Sequence, residues 1–185
     1  MPLSFQITIE GVQGMNWRIE KKERFKVTGV VRYFKNDETD KIGEFWSEVC
    51  SSEQYRKLCD ISTNGGHMGI CGSMGICGHI NDTSDEFMYM IGVYVDDDTD
   101  TNEFHIIETP PTTWAVFQSE TFDENPYGRE IPELFKTAYK QWLPSSGYEK
   151  VDADKGEIYD MEKYCITPDG KFYEEIWLSV KKCIG

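Results

Sequence analysis

The 185-residue sequence predicts an α+β fold in which one strand–helix–strand–strand unit occurs twice. Three observations carry this. Several runs rich in β-branched and aromatic residues alternate with a period of two, as half-buried strands do. Two other stretches repeat apolar residues at helical spacing. The order of runs in residues 15–96 then returns in residues 103–183, and the halves align best at YMIGV (89–93) and IWLSV (176–180). Such a duplication predicts an antiparallel sheet with both helices on one face. The other face would be curved and open, a ligand cleft where the halves meet about a pseudo-twofold axis.

Residues 1–14 read as a linker-like segment ahead of this domain, which spans 15–185. WRIEKKERFKVTGVVRYF (17–34) alternates throughout and reads as one long strand, with Gly29 as a bulge site. KNDETD supplies turn chemistry and a helix N-cap at Thr39 or Asp40. Ile42, Phe45, Trp46 and Val49 follow at helical spacing. Ser51 and Gln54 have the spacing of a capping box that restarts the helix for Tyr55, Leu58 and Cys59, and STNGG ends it. Strands are expected near 68–80 and 86–95, joined by NDTSDE as a hairpin turn. Acidic DDDTDTNE (96–103) separates the halves. The second half begins with a strand over 104–118 that contains TTWAVFQ. Pro132 then opens a helix carrying Ile131, Leu134, Phe135, Ala138 and Trp142, which Pro144 and Gly147 close. Two strands near 148–160 and 172–182 follow, with TPDGK as the turn between them.

Charge and composition exclude several functions. The chain has 19 basic and 33 acidic residues, and 19 − 33 gives −14. That field repels phosphate backbones, and no Lys/Arg cluster is dense enough to reverse it locally, so direct nucleic-acid binding is not expected. MPLSFQITIEGVQG lacks a basic segment followed by an apolar run, and no apolar stretch approaches the roughly 20 residues that span a bilayer. No membrane association and a cytoplasmic location are therefore expected. There the cysteines (50, 59, 71, 77, 165 and 183) would be thiols.

MGICGSMGICGH (68–79) repeats itself and sets Cys71 and Cys77 between His67 and His79. The order H-x3-C-x5-C-x-H matches no finger or ribbon spacing, and no third residue is suggested for a Cys–His nucleophile. The stretch reads instead as a glycine-rich strand along the cleft floor, where small residues let a guest approach the backbone. A calcium loop starting at Asp96 would need glycine sixth and glutamate twelfth, where Thr101 and Ile107 stand. No metal or cofactor is expected.

SFQITIEGVQGMNWRIEKKERFKVTGV, FMYMIGV, TTWAVFQ, IPELFKTAYKQWLPSSGYE and EEIWLSV, in this order, resemble the GyrI-like, or AraC-type effector-binding, domain from about Met15 to Lys182. The resemblance implies the duplicated fold and a cleft for small molecules, often aromatic or cationic and amphipathic. It also implies a buried, ligand-facing glutamate on the last strand, which in EEIWLSV is Glu175. Ser179 stands where the family pattern usually carries proline. The segment before Met15 is similar to the linker after the helix-turn-helix domains of AraC-type regulators. The resemblance thus implies either the sensor half of a regulator or a stand-alone relative, with a DNA-binding domain possible in a longer relative.

Alternation along strands says which neighbours Glu175 should have. Ile176, Leu178 and Val180 fall on the helix side, and Glu175, Trp177 and Ser179 on the cleft side. In the first half Phe87, Tyr89, Ile91 and Val93 read as core, leaving Met88 and Met90 with the cleft. Ala115 and Phe117 read as core and Trp114 as cleft. The predicted site is one acid, Glu175, among Trp177, Trp114, Met88 and Met90, with plain core packing the competing reading for the last three. Indoles attract aromatic and cationic guests, and thioethers adapt to several shapes. The function expected is sensing or sequestering a small molecule. The enzymatic alternative is hydrolysis of a reactive electrophile by Glu175 helped by Tyr159, since Tyr89 should face the core. A third reading has the acidic surface hold a basic protein.

Overall fold

The structure, a computed structural model, describes residues 16–63, 73–79 (backbone only), 86–101, 103–151 and 158–183. Its strands are β1 (Asn16–Lys22), β2 (Phe25–Lys35), β3 (Ser73–His79), β4 (Glu86–Val95), β5 (His105–Thr109), β6 (Thr112–Gln118), β7 (Tyr148–Lys150), β8 (Asp160–Ile166) and β9 (Phe172–Lys182). Helices α1 (Ile42–Cys50) and α2 (Glu53–Ile61) lie in the first half. Helix α3 (Ile131–Thr137) lies in the second and widens into a π-helical turn, Ala138–Trp142.

The strands form one antiparallel sheet in the order β1-β6-β9-β8-β3-β4-β2-β5, with β7 beside β9. The order is symmetric about the β8–β3 junction: β9 answers β4, β6 answers β2, and β1 answers β5. The duplicated pattern predicted this. It did not predict the exchange of edge strands. The run 17–34 is two strands broken at Glu23 and Arg24, and 104–118 is two strands broken at Pro110 and Pro111. β1 pairs with β6 of the second half, and β5 with β2 of the first.

These short connections force the sheet to curl. In a flat sheet β1 and β2 would lie six strand spacings apart, roughly 29 Å at about 4.8 Å each. The three chain steps from Lys22 to Phe25 reach at most about 11 Å. The Pro110–Pro111 link binds the other edge by the same argument. The sheet is therefore a half-barrel with a concave and a convex face.

The helices cover the convex face. Phe45 and Val49 of α1 and Tyr55 and Cys59 of α2 pack on Phe34, Phe87, Tyr89 and Ile91, while Leu58 packs on Val93 and Val95. Ile131 and Leu134 of α3, with Ala138 and Trp142, pack on Ala115, Phe117, Ile176, Leu178 and Val180. No helix among the described residues is long and apolar enough to cross a membrane.

Three local expectations change. Gly29 is no bulge: the β2–β4 register runs unbroken through Gly29↔Gly92. A 3-10 turn at Thr39–Lys41 leads into α1, so neither Thr39 nor Asp40 caps it by a side chain. The cap of α2 is Ser52, whose Oγ accepts from Tyr55 N at 3.3 Å, whereas Ser51 Oγ donates back to the Ser47 carbonyl. Ser52→Ala should then cost about 1 kcal/mol, seen as a lower urea midpoint with an unchanged slope. Ser51→Ala should cost less.

The final strands shift as well. Of the strand expected over 148–160, the described residues show β7 at Tyr148–Lys150 and the start of β8 at Asp160, and 152–157 lie outside the described residues. Thr167–Lys171 makes the expected turn, closed by Gly170 N donating to the Thr167 carbonyl with Gly170 at φ +85°. β3 is a central strand between β4 and β8. His67 and Cys71, and the side chains of Cys77 and His79, lie outside the described residues.

Candidate functional site

The concave face carries the side chains that alternation sends away from the helices. Met88 and Met90 of β4, Trp114 and Val116 of β6, Met161 of β8 and Trp177 of β9 form one buried cluster with Val27 and Ile107. Trp114 and Met90 are fully buried, and Met88 and Trp177 nearly so. The Trp114 and Trp177 rings meet edge-on, centroids 6.1 Å apart. Trp114, Met88 and Met90 thus make a packed floor. Above it Lys22, Phe25, Tyr94, Lys163, Cys165 and Glu175 line a cavity of about 560 Å³.

Glu175 is 4% exposed and turns inward, as alternation requires. Its two oxygens are both engaged. Arg18 Nη1 donates to Oε1 at 3.0 Å, and Trp177 Nε1 donates to Oε2 at 2.8 Å. Arg18 Nε also donates to Glu20 at 3.1 Å. The neighbouring Glu174 turns outward, where it accepts from the backbone N–H groups of Gly128 and Glu130 ahead of α3. Burial raises the Glu174 carboxyl above the ordinary range, and those two donors oppose the shift.

The predicted lone acid is therefore corrected: the hollow contains its own cations. Arg18, Glu20 and Lys22 alternate along β1 and face inward, while Trp17 and Ile19 join the helix-side core. Lys163 Nζ of β8 sits 3.5 Å from the centroid of the Trp177 ring, Lys22 Nζ 5.0 Å and the Arg18 guanidinium 5.6 Å. Desolvation, reinforced by Lys22, pulls the Lys163 ammonium down to about 7. Burial pushes the Tyr94 phenol up, so it stays protonated.

A family model described as integron-associated effector binding protein, Cass2, matches residues 18–180. The chain belongs to the Cass2 family. No curated protein matches it. Among solved structures it is similar to SAV2435 bound to tetraphenylphosphonium, at 18% identity and a TM-score of 0.67, covering 90% of this chain and 94% of that one. A putative transcription regulation protein from Staphylococcus aureus MU50 gives 17% and 0.66, covering 91% and 99%. The integron cassette protein VCH_CASS2 of Vibrio cholerae gives 20% and 0.60, covering 91% and 97%. At these identities the neighbours share the fold, which is GyrI-like.

In this Cass2 chain Tyr159 does not line the cavity of Glu175. It lines a groove along β5 with Ile107 and Thr109. Tyr89 lies on the convex side, fully buried, where it accepts from Trp46 Nε1 at 2.9 Å and donates to Glu162 at 2.6 Å. Neither tyrosine shares the cavity with Glu175, so the hydrolytic arrangement has no geometric support. Arg18, Lys22, Tyr94 and Lys163 were missed by the sequence reading of this Cass2 protein. Arg18, Glu20 and Lys22 look like a solvated strand face. Lys163 would have been found by alternation with Met161 and Cys165, had β8 been placed over 160–166.

Proposed function

We propose that this Cass2 protein takes up an aromatic, amphipathic small molecule in the hollow beside Trp177 and Glu175, and acts as a sensing or sequestering domain. The observation that carries this is the cavity of about 560 Å³ lined by Phe25, Tyr94, Lys163 and Glu175. It lies above a floor of buried indoles and thioethers from both halves. That volume falls within the usual range of small-molecule sites. The fold neighbour bound to tetraphenylphosphonium supports a guest with aromatic rings. Joined to a DNA-binding domain in a longer cytoplasmic regulator of AraC type, the module would act by binding one of two states more tightly.

A cationic guest must displace Arg18 from Glu175 or Lys163 from the Trp177 face, whereas a neutral aromatic guest needs only the ring surface. Titration calorimetry with tetraphenylphosphonium and with neutral naphthalene-2-carboxamide tests the reading. Both are expected to bind. Glu175→Gln should weaken the cation about tenfold, the loss of one charge-assisted contact of roughly 1.4 kcal/mol, and leave the amide within twofold. Absence of binding by both probes overturns the proposal.

A further inference from the structure

We propose that the guest is an aromatic anion whose carboxylate or sulfonate is held by Lys163 and Tyr94. This deepens the small-molecule reading above and rests on it.

Glu175 is satisfied by Arg18 and Trp177. Glu20 takes the Arg18 Nε and stands 3.9 Å from Lys22. Asp97 takes Arg24 through both oxygens and Lys26 through its carbonyl, and Glu108 takes the other Arg24 nitrogen. Asp96 is exposed at the rim. Lys163 is left over. Among the described residues no acceptor lies within hydrogen-bond reach of its Nζ, which touches only the faces of Trp177 at 3.5 Å and Tyr94 at 5.1 Å. Glu175 and Glu20 act on this ammonium only from beyond hydrogen-bond distance, and both are engaged by Arg18. A poorly hydrated ammonium without a contacting acceptor is unfavourable, and an incoming anion supplies that contact.

A second, independent observation points the same way. The Tyr94 hydroxyl is buried and has no partner among the described residues, as does the Trp114 Nε1 in the floor beneath. The Tyr94 phenol stays protonated and therefore donates. Among the described residues the inner groups of the cavity without a hydrogen-bond partner, Lys163 and Tyr94, are thus both donors, while Glu175 is engaged by Arg18 and Trp177, Asp97 by Arg24, and Asp96 is exposed to water at the rim. A cation would find the Trp177 face occupied by Lys163 and Glu175 occupied by Arg18. The ring of an aromatic anion has Phe25 and Tyr94 beside it, and its charged end has the two donors. The net charge of −14 opposes anions at long range, but salt screens that field within about 8 Å, whereas the buried pair is screened far less.

Lys163 faces Lys22 and Glu20 of β1, Glu175 of β9, Tyr94 of β4 and Cys165 of its own strand. With the ammonium near neutrality in the free protein, an anion that pairs with it draws a proton onto it. The test uses three probes of one shape: 2-naphthoate, naphthalene-2-carboxamide and 2-naphthylmethylammonium, titrated into the whole protein by calorimetry. Naphthoate is expected to bind at least tenfold more tightly than the amide. At pH 8 it should take up a proton, seen as a binding heat that varies with buffer ionisation enthalpy. Lys163→Met should abolish both the preference and the proton uptake, so that the variant binds naphthoate and the amide within twofold of each other. Tyr94→Phe, which keeps the ring, should cost naphthoate several-fold and provides a second variant should the first fold poorly. Amide binding without a naphthoate preference, a preference for the ammonium probe, or a naphthoate preference that survives Lys163→Met overturns this inference and leaves aromatic uptake standing. Failure of all three probes overturns the underlying reading, and this inference with it.

Discussion

Gly29→Ala is expected to destabilise the protein by about 3 kcal/mol or more, enough to abolish most soluble expression. Gly29 lies in β2 between β4 and β5, opposite Gly92 and beside His105. A Cβ there would stand 2.2 Å from the Ile91 carbonyl oxygen and 2.7 Å from the Gly92 Cα. Both contacts are backbone, so no rotamer change relieves them, and β2 must move off β4. Those strands carry the first-half core on one face and Met88 and Met90 on the other. Gly43→Ala provides the contrast. Gly43 lies in α1 with open space around it, so alanine should stabilise by about 0.5–1 kcal/mol through helix propensity. Urea denaturation of the two variants checks both signs. A Gly29→Ala protein of wild-type stability would mean that the strands are not so closely apposed.

The second large effect is expected at the ion pair. Arg18→Met should cost about 3 kcal/mol, because it leaves the carboxylate of Glu175, 4% exposed, with the Trp177 N–H as its remaining partner. Arg18 is 22% exposed in its side chain, which places the figure at the lower end for buried pairs. Glu175→Gln alone should cost less, since the guanidinium keeps Glu20 and a partial path to water. The double variant should recover much of the loss, because two buried charges are removed together and methionine suits the apolar floor. A double-mutant cycle in urea measures the coupling, expected above 1.5 kcal/mol. A coupling below 0.5 kcal/mol would show that water takes over from Arg18 at no cost.

How far the sequence was readable follows from the range of each signal. Helix positions were legible because their apolar spacing is local: Phe45, Val49, Leu134 and Trp142 are buried where the spacing puts them. The cap of α2 was read one residue early, since both Ser51 and Ser52 can cap and only the backbone conformation at Ser52, φ −89° and ψ 161°, selects one. The two long runs were read as single strands because nothing in WRIEKKERFKVTGVVRYF announces that Glu23 and Arg24 leave one strand pair for another. That switch is a property of the curled sheet.

Alternation by itself determined which face each strand residue takes, and it separated Glu174 from Glu175. The first reaches the backbone ahead of α3, and the second turns into the hollow with Trp177, Trp114, Met88 and Met90 on the same side. A period of two is carried by the local backbone, so it survives whatever the rest of the chain does. Only the tertiary structure decided what stands against that acid. Arg18 comes from 157 positions earlier, through β1 on β6 and β6 on β9, and Lys163 comes over Trp177 from β8 on the other side. Neighbours across a sheet depend on strand order and register, which are set by the whole chain closing on itself.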